Sequence, residues 1–294
     1  MRDTTSVNGP SAAAEPPAAE RVHPSYLRVF LTFARNSLVR DMTFRGNFII
    51  ECISSLSWMA MNLGFYVLIF QYTSEIGDKT GWRQYEFFLF LATTLFINSL
   101  VQAFFMPNCE EFSDLIRTGG LDFALLKPID TQFLISLQKV DWSSLANFGF
   151  ALGLMVFSLA RLDYLPGPVQ CLLYPVYVIC GVAILYSLMI SLAATSIWLG
   201  RNQSLYDFWF YITNFSRYPM EIYQGRWGTP LQWFFTFIIP VLVVVNVPAR
   251  LLAQPFERQN WPLALFALAA AAASLAASRW IFRRAMLSYR SASS

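Results

Sequence analysis

Apolar positions along this chain come in long blocks, not in the two-residue alternation of a half-buried strand or the narrow stripe of a soluble surface helix. A hydrocarbon core about 30 Å thick needs roughly 20 apolar residues per crossing helix. Blocks of that length fall at 46–72, about 86–107, about 142–162, about 169–199 and about 261–283. Each predicts a membrane-spanning helix. The last holds the run LALFALAAAAASLAAS. Its small side chains let helix backbones approach closely in lipid, so this helix is expected to pack inside the structure.

The stretch 203–258 carries two further apolar pieces, both interrupted. Residues 205–223 are aromatic but contain Asp207, Arg217, Pro219 and Glu221, and residues 230–252 are broken by Pro240 and Pro248. Either the first crosses the membrane and the second folds back as a re-entrant hairpin, or the first lies on the surface and the second crosses. Both arrangements give six spans with the two termini on one side. The first leaves only Lys79, Arg83, Arg161, Arg217, Arg226, Arg250 and Arg258 on the far side, and the second moves Arg217 and Arg226 across. Cytosolic loops collect Lys and Arg. Both arrangements therefore place the termini in the cytosol, and charge alone prefers the second.

Between and before these blocks the pattern changes. Residues 1–24 are polar and rich in Ala, Pro and Glu, which predicts a disordered cytosolic tail. In 25–45, Tyr26, Phe30 and Phe33 share one helical stripe, while Arg28 and Arg35 share another face. That is the signature of an amphipathic helix lying in the headgroup region. In the loop 108–141, Phe112, Leu115 and Ile116 alternate with Glu111, Asp114 and Arg117, so a short amphipathic helix is expected. Gly119 and Gly120 can end it by taking a positive φ. A second short piece, 121–126, ends near Pro128. The loop is too apolar for a free linker and is expected to dock on something.

Composition agrees with a membrane chain. Of 294 residues, 56% are hydrophobic and 13% charged. Soluble domains carry about 25% charged residues, so the balance argues against a soluble enzyme and excludes a disordered chain or a small disulfide scaffold. Net charge is only +3, too weak to suggest nucleic acid. The four cysteines form no CxxC pair and are expected to be free.

Material for catalysis is nearly absent. The one histidine, His23, lies in the tail, so neither a metal site nor a His-based triad can be assembled. Gly77-Asp78-Lys79-Thr80 lacks the glycines of a phosphate-binding loop. Glu51 and Asp207 are the intramembrane polar candidates. No chain of acids crosses the spans, which weakens a proton-coupled carrier.

The layout resembles the ABC-2-type transporter permeases, specifically the six-helix bacterial family related to daunorubicin-exporter-type permeases. Three pieces carry the resemblance. They are Ile116-Arg117-Thr118-Gly119-Gly120-Leu121-Asp122 with Leu126-Lys127-Pro128-Ile129-Asp130; Tyr218-Pro219-Met220-Glu221-Ile222-Tyr223; and Ile239-Pro240 with Val245-Asn246-Val247-Pro248-Ala249. The likeness covers about residues 25–290.

The resemblance implies an all-α integral membrane domain. It would have six transmembrane helices, an N-terminal interface helix at 25–45, a cytosolic coupling loop at 108–141, and an extracellular re-entrant hairpin at 228–256 before the last helix. It makes 203–223 the fifth span. It implies no catalytic residue, metal or cofactor in this chain, with ATP and Mg held by a separate ATPase subunit. Leu115, Ile116, Leu121, Asp122, Leu125, Leu126, Lys127 and Pro128 would couple to that subunit. Pro219, Tyr223, Pro240 and Pro248 would form the extracellular gate. A second permease, identical or paralogous, would complete an exporter of a lipidic or amphipathic substrate in the bacterial cytoplasmic membrane. An ion-coupled carrier and a non-transport membrane scaffold are the competing readings.

Overall fold

The computed structural model describes residues 25–77, 80–162, 164–199, 210–256 and 259–289. The tail and Asp207 lie outside the described residues. Every regular element among those described is helical, and a single antiparallel bridge, Glu75–Arg83, closes the loop after the second helix.

The chain opens with α1 (Tyr26–Thr43), then α2 (Arg45–Ile69), α3 (Gln84–Phe104) and α4 (Met106–Arg117). The break between α3 and α4 sits where Pro107 enters the first turn, a position that tolerates its missing N–H. The short helices α5 (Gly120–Leu125) and α6 (Thr131–Leu137) follow, then α7 (Ser144–Arg161), α8 (Pro168–Ala194) and α9 (Ser196–Leu199). Residues 210–215 are helical and end in a turn before Pro219. The 3-10 turn Met220–Ile222 leads to α10 (Gly228–Trp233), continued by a π-helical turn, Phe234–Ile238. Last come α11 (Val241–Ala253) and α12 (Trp261–Ser288).

Among the described residues, five stretches are long and apolar enough to cross a membrane: Arg45–Ile69, Gln84–Arg117, Ser144–Arg161, Pro168–Leu199 and Trp261–Ser288. These match the five long sequence blocks. The α10 and α11 arms are bent by 87° at Ile239–Pro240 and count as a sixth only if taken as one broken span. The expected span at 203–223 falls partly outside the described residues.

Helix α3 is the centre of the bundle. Residues 87–94 are buried without interruption, and α7, α8 and α11 surround the helix. In lipid, apolar burial does little to drive helices together, so close packing must hold them. The chain meets that demand with small or shape-matched contacts, such as Gly181 of α8 against the Val244 carbonyl of α11. Pro248 removes the N–H that would normally bond that carbonyl.

Helix α12 corrects the expectation that it packs inside. Its small-residue face, Ala264, Ala267, Ala270 and Ala271, is buried, but Leu265, Leu268 and Leu275 stay exposed. The alanines at three- and four-residue spacing make one close face, not a fully enclosed helix. Helix α2 is more peripheral still, with Tyr66 its only buried residue. All four cysteines are free.

Candidate functional site

Two polar clusters sit at opposite ends of the bundle. The first is built by the segment between α3 and α7. Here Asn108 pairs with the backbone of Lys139 in both directions, its amide donating to the carbonyl at 2.7 Å and its oxygen accepting the N–H at 2.8 Å. Lys139 also pairs with Glu111 at 2.6 Å. Helix α1 braces this segment: Ser37 Oγ accepts the Val140 N–H at 3.1 Å, and the Trp142 indole donates to the Ala34 carbonyl at 3.1 Å. Tyr26 meets Phe133 edge-on at 4.9 Å.

The α4–α5 joint is shaped by glycine. Gly119 takes φ +74°, a conformation nearly closed to other residues. A Cβ on Gly120 would stand 2.9 Å from Leu115 Cδ2. The joint turns α5 so that Leu121 and Ala124 face inward, with Leu121 0% exposed. Phe123, Leu125 and Leu126 face outward, Phe123 at 73% and Leu126 at 81% exposure, followed by exposed Lys127 and Pro128.

The expected coupling residues therefore separate into two groups. Leu121 belongs to the core, and Leu115 and Ile116 pack half-buried against it. Leu125, Leu126, Lys127 and Pro128 form an outward patch. Asp122 is half-buried beside Tyr289, whose hydroxyl is pushed above its ordinary pKa by burial and by the Asp122 carboxylate. Phe123 was missed by the sequence reading. The sequence alone does not say which face of 120–125 points inward; once Leu121 and Ala124 are known to face the core, position 123 must point outward.

Asp130 ends the patch and ties it to the bundle. Its Oδ1 accepts the Phe133 N–H at 3.0 Å, capping α6. Both of its oxygens bind the Arg279 guanidinium of α12, with Nη1 at 3.0 Å from Oδ1. Arg279 also donates to Gln132 Oε1 at 2.8 Å, and Gln132 donates to the Tyr186 hydroxyl of α8 at 3.0 Å. The Arg279 guanidinium holds the Asp130 carboxyl below the usual carboxylate range. A depressed pKa contributes stability above about pH 4 that is lost as pH falls through the lowered value. Asp130→Asn is expected to cost about 1 kcal/mol at neutral pH, discounted because both groups are partly exposed. The difference from the parent should begin to shrink as pH falls below about 4 and disappear only below the lowered value. Thermal unfolding in detergent across pH 3–7 checks this, and a pH-independent difference would refute it.

The second cluster lies at the other end. Glu221, in the turn after Pro219, pairs with Arg250 in the last turn of α11, and the Trp82 indole donates to Glu221 Oε2 at 3.0 Å. Trp82 is fully buried. Asn246 of α11 accepts the Met220 N–H at 2.9 Å and donates to the Leu242 carbonyl at 2.7 Å. Gln170 donates to the Leu251 and Gln254 carbonyls at 2.6 and 2.9 Å. Of the expected gate residues, Pro219 and Pro248 are buried, while Tyr223 and Pro240 are half-buried. Tyr223 donates to the Phe215 carbonyl at 3.0 Å.

Glu51 lies on the exposed face of α2 and accepts a hydrogen bond from Asn47 at 2.6 Å. Ser54 and Ser57 are exposed on the same helix. Among the described residues, no cluster of three or more His, Cys, Asp or Glu could hold a metal.

The family model described as ABC-2 family transporter protein matches residues 56–293. The chain belongs to the ABC-2 transporter family. That stretch holds α3 to α12 and both polar clusters. No curated protein matches the chain, and no solved structure does. The protein is therefore a multi-pass membrane permease of the ABC transporter type. Permeases of this family are typically the non-catalytic membrane subunit and work with an ABC ATPase.

Proposed function

We propose that this permease is the membrane subunit of an exporter for a lipidic or amphipathic substrate, driven by a separate ATPase subunit that holds ATP and Mg. It would sit in the bacterial cytoplasmic membrane with both termini in the cytosol. The observation that carries the proposal is the outward apolar patch of Phe123, Leu125 and Leu126 on an otherwise well-tied segment. Three large apolar side chains held out on a six-residue helix and its C-cap are the form a docking knob takes. Asp130, Gln132 and Arg279 connect that knob to α8 and α12, so a push on it would reach the bundle as a rigid-body displacement.

The remaining parts have corresponding roles. Helix α1 would lie at the cytosolic interface and brace the coupling segment. The α10–α11 pair would be a re-entrant hairpin at the extracellular exit, with non-helical backbone at Ile239–Pro240 tolerated because protein covers it. A second permease would meet the open face of α2. The carboxylate of Glu51 and the hydroxyls of Ser54 and Ser57 are costly against lipid chains, and a partner or a watery pathway removes that cost. A photo-reactive residue at position 126 tests the docking role. It should cross-link to the ATPase subunit in membranes, whereas one at 265 on the exposed face of α12 should not. Equal labelling at both positions would sink the proposal.

A further inference from the structure

The two arms of the α10–α11 hairpin are held very differently. In the second arm, Val241–Ala253, every residue but Arg250 is buried. It is fastened by directional bonds: Arg250 pairs with Glu221, which in turn accepts from the Trp82 indole, and Asn246 accepts the Met220 N–H. The Glu221–Arg250 pair is only partly exposed, and sliding it apart would leave two charges unpaired in mostly apolar surroundings. The first arm, Gly228–Ile238, is mostly exposed. Its inward side chains are Phe235, stacked on Phe215 at 4.1 Å, and Thr236, whose buried hydroxyl has no hydrogen-bond partner. The arm ends in a π-helical turn, with the Ile239 N–H bonded to the Phe234 carbonyl at 3.1 Å, before the 87° bend. Ring contacts can slide, and π-turns often mark functional points in helices.

We infer that Glu221, Arg250 and Trp82 are positioning residues that make the second arm a fixed post, so that the hairpin opens by movement of its first arm alone about Ile239–Pro240. The inference rests on the permease reading. It divides the expected gate: Pro248 belongs to the post, and Pro240 to the hinge.

The test uses the full permease purified with its ATPase, after replacing Cys52, Cys109, Cys171 and Cys180 with serine. Single cysteines are placed at Thr236→Cys and Val245→Cys and reacted with a membrane-impermeant maleimide. Between nucleotide-free and ATP-bound complex, labelling at 236 should change at least tenfold while 245 stays protected. Parallel change at both positions, or none at 236 in a complex that hydrolyses ATP, would overturn the moving first arm. The post is tested without nucleotide. Glu221→Gln or Arg250→Gln should expose the cysteine at 245, and the swapped pair Glu221→Arg/Arg250→Glu should protect it again. If the swapped pair fails to insert, Arg250→Lys takes its place. Single variants that leave 245 protected would show that these residues only fill space. A chain that never binds an ATPase would overturn the permease reading and the moving arm with it, while the post variants still read out.

Discussion

Leu126→Glu and Leu125→Glu should each abolish coupling to the ATPase while leaving insertion and folding intact. At 81% exposure, a glutamate at 126 meets solvent and should shift stability by no more than about 0.5 kcal/mol. In a docked complex the same carboxylate would be stripped of water against an apolar groove, which costs several kcal/mol unless it finds a partner. A loss of that size lowers the affinity at least a hundredfold. The control is Leu121→Glu. Its side chain is 0% exposed, so the charge would fall inside the protein and lower the unfolding temperature sharply. Pull-down of the ATPase and thermal unfolding of the same preparations separate the two effects. ATPase binding that survives both exposed substitutions would move the docking site elsewhere.

Gly181→Ala should destabilise the permease, against the usual rule. Within a helix, Ala is normally favoured over Gly by about 1 kcal/mol. Here the new Cβ would stand 2.9 Å from the Val244 carbonyl oxygen and 3.1 Å from Val244 Cγ1. The nearest obstacle is backbone in a helix buried at every residue but Arg250, which leaves little room to give. Overpacking of this kind costs about 1–3 kcal/mol, enough to outweigh the helix preference. Gly181→Val should be worse and should part α8 from α11. Thermal unfolding in detergent checks the order. A Gly181→Ala protein as stable as the parent would mean that the α8–α11 seam is looser than described.

The long helices were legible because a spanning helix announces itself by length and composition alone. The five blocks of the sequence correspond to α2, α3, α7, α8 and α12, and the helix–glycine–helix pattern at 112–126 appears as α4, Gly119 and α5. The bend at Ile239–Pro240 was legible because proline is disfavoured in a helix interior, whereas Pro248, expected to break the same piece, sits inside α11 without ending it. Long-range polar pairing was not. Asp130 lies 149 residues from Arg279, and Trp82 lies 139 from Glu221. Nothing in the local pattern of either partner names the other. Residue-by-residue division of the coupling set also needed the fold. Leu121 and Leu126 look alike in sequence, but the turn fixed by Gly119 puts one in the core and leaves the other outside. The charge count misses this kind of detail too: Arg250 counts as a loop charge in the sequence, but its partner Glu221 takes it into the protein.

The central claim is that this chain works as the membrane half of an ATP-driven transporter. Purification of the tagged protein in mild detergent, with identification of everything that accompanies it, tests that claim most directly. The account predicts a stoichiometric soluble subunit carrying a phosphate-binding loop, lost from the Leu126→Glu protein. A chain that is repeatedly isolated alone, folded and without an ATPase, would contradict it.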